Sequence, residues 1–336
     1  MTFRFFSGLA VGLVYCLISA SAWADNSSDA LQWLHRVAMS AQQLTYSGTF
    51  VYQFGSRTES SRISHVVDGA TDMEHIEMLD GSPREVVRIG DEVKTWLPEN
   101  RRLVIERRIA RPSFPAVLPT GLADLTDYYI IRRGAPDRVA GFDAQPIVIE
   151  PRDNYRFRRQ LWIDRKTGLL LKSETFSENG QLRESSTFTE LKVGTTIVDR
   201  DAIKARFSRQ DNGWHVQDVS SAVTGSDDGL WELRAVTPGF RQVASVLRQP
   251  QANLPEGSQL VFSDGLSAIS VFIVPLLPDS PKPAVGQFAM GALNVYKRIV
   301  GKYMLVLIGD VPVSALKKFG DGIKARKSAA GDVVQR

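Results

Sequence analysis

Beyond Cys16 the 336-residue chain contains no cysteine, and it has only four histidines. A lone thiol forms no internal disulfide and builds no thiolate metal site. His35, His65, His75 and His215 stand at spacings that suit no standard metal centre. His65 and His75 are expected on neighbouring strands, close enough to approach each other, although half-buried histidines are far commoner than two-ligand sites. The chain has no Gly-x-Ser-x-Gly elbow, no glycine-rich phosphate loop and no His-Glu-x-x-His helix. Carboxylates are plentiful, but no pair is singled out for acid–base work. The sequence also lacks internal repeats and low-complexity tracts. The expectation is therefore a binding protein with no catalytic residues, no metal and no cofactor.

The one long apolar run lies at the start. Arg4 is followed by apolar residues from Leu9 to Ile18, then Ser19–Ser21 and Ala22-Trp23-Ala24 before Asp25. This is the pattern of a secretory signal peptide, residues 1–24, too short to anchor the chain in a membrane. Cys16 falls inside it. A lipoprotein acylation site there is disfavoured, because Tyr15 stands where a small residue is needed and the apolar run continues through Leu17 and Ile18. The expected location is the periplasm, with the mature chain soluble and free of thiols.

A formal net charge of +4 and a pI near 9.1 would suit a nucleic-acid partner, but export argues against one. Distribution says more than the total. Residues 101–159 hold twelve arginines, no lysine and seven carboxylates. Arginine offers a planar fork suited to carboxylates and phosphates. Arg101, Arg102, Arg107, Arg108, Arg156 and Arg158 are the candidates for an anionic ligand or partner. Strand alternation would place Arg156 and Arg158 on one face and Tyr155 and Phe157 on the other. A solvated sheet face explains the same charge, and both readings stay open.

Leu31, Leu34, Val37, Ala38, Ala41 and Leu44 recur at helical spacing, with Ser28 or Asp29 as N-cap. From Tyr46 the period becomes two, with Gly48, Phe50, Tyr52 and Phe54 on one face. Short strands follow between turn signals such as Asp68-Gly69, Asp80-Gly81 and Gly90-Asp91, the signature of an antiparallel meander. Pro112, Pro115 and Pro119 interrupt it with a loop that keeps Phe114, Val117 and Leu118 apolar. Hairpins resume to Leu191, and a short helix is expected at 200–207. Residues 25–207 make a first domain, the Ser-, Asp- and Gly-rich stretch 208–229 a linker, 230–323 a smaller sheet-and-helix domain, and 324–336 a mobile tail. Phe50, Tyr52, Met78, Trp96 and Phe114 are the candidates to line a lipid cavity inside a curved sheet, against the alternative of an ordinary core.

The order of motifs resembles the MucB/RseB family. It is carried by Tyr46-Ser47-Gly48-Thr49-Phe50-Val51-Tyr52, Gly81–Arg88, Leu161-Trp162-Ile163-Asp164 and Gly168–Lys172, then by Gly239-Phe240, Phe262-Ser263-Asp264-Gly265-Leu266, Ser270–Phe272 and Ile308-Gly309-Asp310-Val311-Pro312. Asp310 departs mildly from a Gly-Glu-Val-Pro pattern. The resemblance implies an α+β protein: a LolA/LolB-like half-barrel of curved antiparallel sheet with helices, plus a smaller antiparallel sheet-and-helix domain. It also implies a periplasmic negative regulator of the envelope-stress response. Such a regulator binds the periplasmic region of a membrane-anchored anti-sigma factor, shields it from site-1 proteolysis and is released by lipid or lipopolysaccharide. Carriage of lipoproteins or lipids, LolA/LolB fashion, is the alternative, and the second domain argues against it. Assembly with further copies of itself stays open.

Overall fold

The computed structural model describes residues 18–69, 71–107, 114–119, 122, 124–209, 212–218, 231–233, 237–248, 257–277 and 283–325. Most of the expected leader, Arg108, residues 210–211 and 219–229 of the expected linker and nearly all of the tail lie outside the described residues.

Helix α1 spans Ile18–Gln43 and buries Ala30, Leu34, Val37, Ala38 and Ala41, a stripe at the expected spacing. It starts earlier than the Ser28 or Asp29 cap, so Asp29 sits within the helix and pairs with Arg133. The chain then forms β1 (Tyr46–Phe54), β2 (Arg57–Asp68), β3 (Thr71–Met78), β4 (Glu85–Ile89), β5 (Glu92–Leu97) and β6 (Arg102–Arg107). After α2 (Leu125–Tyr128) come β7 (Tyr129–Arg133), β8 (Asp137–Val139), β9 (Phe142–Pro151), β10 (Arg158–Asp164), β11 (Leu170–Phe176) and β12 (Leu182–Val193). Helix α3 (Arg200–Phe207) and β13 (His215–Asp218) follow. Together these strands make one large curved sheet of 13 strands in the order β13-β6-β5-β4-β3-β2-β1-β12-β11-β10-β9-β7, with β8 beside β9. Most pairings join consecutive strands; the β1–β12 pairing closes the middle of the sheet. Strand β13, inside the stretch read as a linker, pairs parallel to β6 and so belongs to this sheet.

The sheet is covered on both faces. One face carries Tyr46, Phe50, Ile63, Phe188, Leu161, Ile147 and Ile149 and is packed by α1 and by Phe114, Leu118, Leu122 and Leu125. At Gly48 on this face the packing is so close that a Cβ would lie 2.3 Å from the Glu190 carbonyl oxygen and 3.1 Å from the Phe188 ring. The opposite face carries Val66, Met73, Val87, Trp96 and Leu103 under Ile203 of α3. Asp199 caps α3, its carboxylate accepting from the amides of Asp201 and Ala202.

The second sheet has six strands, β15 (Arg241–Arg248), β16 (Gly257–Ser263), β17 (Ala268–Pro275), β20 (Tyr303–Gly309), β19 (Leu293–Val300) and β18 (Gly286–Met290), in that order. Helix α4 (Val313–Gly322) buries Leu316 and Phe319 against it. The short pair β14 (Trp231–Leu233) and β21 (Ile323–Ala325) stands apart from this sheet. Strands β19 and β20 form a hairpin that turns at Gly301, and β18 lies at the edge of the sheet beside β19.

Candidate functional site

Phe50 and Phe114, two of the five cavity candidates, do meet. With Phe188 they form an aromatic cluster whose ring centroids are 5.0–6.2 Å apart. All three are at most 9% exposed, so their own rings fill the space they were expected to enclose. Tyr52 shares the face but is half-buried, its hydroxyl donating to Glu184 Oε2 at 3.1 Å. Met78 is on that face too, its sulfur 3.1 Å from Ser61 Oγ.

Trp96 does not join them. Following the register from Trp96 through Glu85, Glu77 and Arg62 leads to Thr49, which points away from Phe50. Trp96 therefore lies on the opposite face, under α3. The same parity separates the two histidines. His75 pairs with Ser64, so it faces away from His65 and bonds Glu85 at 2.9 Å, while His65 bonds the Leu44 carbonyl at 2.8 Å and stacks on Tyr46.

The arginine candidates also divide. Arg101, Arg102 and Arg107 are exposed on or beside β6, eight places along the sheet from β10, and Arg108 lies outside the described residues. Arg158, at the start of β10, lies 4.3 Å from the Phe176 ring centroid and 3.7 Å from Glu150. Arg156 is not a surface residue. The chain bends at 152–156 instead of running as a strand, with the Asp153 side chain accepting from the Tyr155 amide. That bend turns Arg156 inward to 2% exposure.

There Arg156 spans the seam between the two sheets. Its Nε donates to Asp264 Oδ2 at 2.7 Å, Nη1 to Asp153 and Nη2 to the Pro238 carbonyl. The guanidinium lies 4.8 Å from the Tyr128 ring centroid and 5.0 Å from that of Phe240. Tyr129 Oη donates to the same Asp264 oxygen at 2.8 Å. Burial first, then the Asp264 carboxylate, pushes Tyr129 well above its ordinary value, so it remains a donor. Gly239 is forced on this joint: its φ is +86°, and a Cβ would lie 2.7 Å from Arg156 Nη2 and from the Tyr128 ring.

A second arginine crosses the seam three residues on. Arg159 Nη2 donates to Asp310 and, at 3.2 Å, to Ser267 Oγ. Asp310 Oδ1 accepts from the Ala268 amide at 2.7 Å, which ties the start of β17 to the end of β20. Arg183 reaches the Ala292 carbonyl at 2.7 Å and Asn294 at 3.2 Å, and Ser314 bonds the Asn154 carbonyl at 2.9 Å. Tyr155 packs on the second core. Beside it an open groove of about 630 Å³ is lined by Asn154 and Tyr155 from one side and by Ser314, Lys317, Lys318, Asp321, Gly322 and Lys324 from the other. Reading residues singly missed Arg159, Asp264 and Asp310 as seam residues. A signal was present, since both carboxylates sit inside the two motifs, Phe262–Leu266 and Ile308–Pro312, that carry the family resemblance.

Comparison with known proteins fits this two-part architecture. The family model for the MucB/RseB N-terminal domain matches residues 29–207, and that for the MucB/RseB C-terminal domain matches residues 226–324. The chain belongs to the MucB/RseB family. It is 31% identical over 316 residues to the sigma factor AlgU regulatory protein MucB of Pseudomonas aeruginosa, covering 91% of this chain and 94% of that one. It is 25% identical to the sigma-E factor regulatory protein RseB of Haemophilus influenzae, covering 96% and 98%. The crystal structure of MucB in complex with MucA(peri) superposes with a TM-score of 0.67 at 27% identity, covering 90% of this chain and all of that one. Within this MucB/RseB chain no described helix is long and apolar enough to cross a membrane.

Proposed function

We propose that this chain is a periplasmic regulator that binds the periplasmic region of a membrane-anchored anti-sigma factor of the MucA/RseA type. In this reading it denies site-1 protease its substrate and so keeps the envelope-stress sigma factor sequestered. The observation that carries the proposal is the full-length correspondence, in both domains, with MucB bound to MucA(peri). The seam supports it physically. A partner lying along the groove touches Asn154 and Tyr155 of the first domain and Ser314, Lys317 and Lys318 of the second at once, so its binding depends on how the two are set. Release by a lipid or lipopolysaccharide completes the reading, and the apolar face around Phe50 and Phe114 is where an acyl chain would enter. Entry there requires Phe114 to move, since the three rings occupy the space.

The test is affinity capture from envelope extract with the purified full chain, followed by a protection assay on what is captured. Recovery of a single-span anti-sigma factor, together with slower cleavage of its periplasmic region, is the expected result. Recovery of outer-membrane lipoproteins instead would favour a carrier of the LolA/LolB type. The mass of the purified protein in solution settles whether it self-associates.

A further inference from the structure

Arg156 and Arg159, both crossing the seam, are held very differently. Arg156 has a partner on each of its three nitrogens and aromatic rings beside its guanidinium, and its side chain and that of Asp264 are fully buried. Nothing about it invites exchange. Arg159 has both its cross-seam bonds on Nη2, while its Nε is buried with no hydrogen-bond partner. A buried guanidinium N–H left unpaired is costly, so this arrangement does not satisfy the side chain fully.

A second carboxylate lies within its own domain. Arg159 pairs in register with Thr175, and Thr175 with Glu184, so all three point to the same face and Arg159 and Glu184 stand two strands apart, roughly 10 Å at the backbone. Long side chains meet across such a gap. Glu184 has one oxygen held by Tyr52, and its other oxygen accepts nothing from the described residues. Burial weakens the hold of Arg159 on its proton, yet Asp310, Tyr129 and Glu184 together more than restore it, so Glu184 already acts on the guanidinium.

We propose that Arg159 is a two-position switch, bonded to Asp310 across the seam when the domains are joined and to Glu184 within its own sheet when they are released. Arg156–Asp264 serves as the pivot that stays made in both. Because Glu184 supplies a carboxylate for one lost, release does not strand a buried charge, which is what makes a single cross-seam ion pair reversible. The switch also reaches the face described above: Tyr52 holds Glu184, so anything displacing Tyr52 changes the acceptor offered to Arg159. The switch depends only on the geometry of the seam, whichever partner the protein takes.

The test measures interdomain distance in the full chain. Cys16 is replaced by serine and cysteines are placed at the exposed positions Glu178 and Lys302, one in each domain, for spin labels. Asp310→Asn is expected to raise the share of a longer or broader distance population roughly tenfold, the scale of one charge-assisted bond. Adding Glu184→Gln to that variant is expected to bring the share back several-fold, because the competing acceptor is gone. If Asp310→Asn does not fold by circular dichroism, Glu184→Gln alone decides, and the released share must fall below that of the parent. A released share that Glu184→Gln leaves unchanged or increases would reduce Arg159 to a plain tether and overturn the proposal.

Discussion

Arg156 and Asp264, 108 positions apart, meet Nε to Oδ2 at 2.7 Å with both side chains fully buried. Taking two charges out of water costs several kcal/mol each, which only the pairing and the surrounding hydrogen bonds offset. Removing one partner leaves the other buried and uncompensated. Arg156→Met and Asp264→Asn are each expected to cost about 3–5 kcal/mol. Arg156→Lys should not rescue, since an ammonium cannot serve Asp264, Asp153 and the Pro238 carbonyl in three fixed directions. Chemical denaturation of the full chain gives the numbers. Loss of less than about 1 kcal/mol in all three variants would mean that the seam is not held here.

Phe114 closes the aromatic cluster on the α1-covered face. Phe114→Ala is expected to cost about 3–5 kcal/mol if the site stays empty. It should also let the protein take up a small apolar probe such as benzene, as apolar voids of that size do. Thermal unfolding with and without benzene is the measurement: a rise in the midpoint confined to the variant is expected. If parent and variant respond alike, Phe114 does not plug this face.

The strand alternation at Tyr46–Phe54, the α1 stripe and the turns at Asp68-Gly69 and Gly90-Asp91 were legible, because each depends only on near neighbours. Placing Phe50 and Trp96 in one cavity failed for a different reason. Which face Trp96 occupies depends on register carried across β2, β3, β4 and β5, and a single strand does not contain that information. Arg156 failed locally: Asp153-Asn154 is turn chemistry that could have been read as a break before β10. Its partner Asp264 was out of reach, because no periodicity links residues in two different sheets.

Glu85 ties α3 to the sheet. His75 bonds it at 2.9 Å, Arg206 at 2.8 Å and Arg209 at 3.2 Å. The hydrogen bond from His75 is the main cause holding its carboxyl down at about 2, against an ordinary value of 4.5; burial opposes it, and Arg209 and Arg206 assist. A carboxyl depressed on folding contributes stability that is fully present above its unfolded value and is lost as pH falls towards the folded one. The docking of α3 should therefore weaken between about pH 4.5 and pH 2. Denaturation midpoints measured across that window should fall less steeply in Glu85→Gln than in the parent. Parallel slopes would assign the acid sensitivity to other carboxylates.

Among the described arginine candidates, Arg101, Arg102 and Arg107 are the exposed ones once Arg156 is assigned to the seam. They lie on or beside β6, next to the edge strand β13, where a negatively charged surface can approach without meeting the second domain's pairing with β10. Exposed ion pairs contribute roughly 0–1 kcal/mol each, so no single substitution should matter much. Reversing all three together, Arg101→Glu with Arg102→Glu and Arg107→Glu, is expected to weaken binding to lipopolysaccharide-containing vesicles and to flatten its salt dependence. Folding should be unaffected, because none of the three is buried. The informative contrast is with Arg156→Glu, which should unfold the seam first and lose binding only as a consequence. Equal vesicle affinity and an equal salt slope in the triple variant would make this end of the sheet a solvated face.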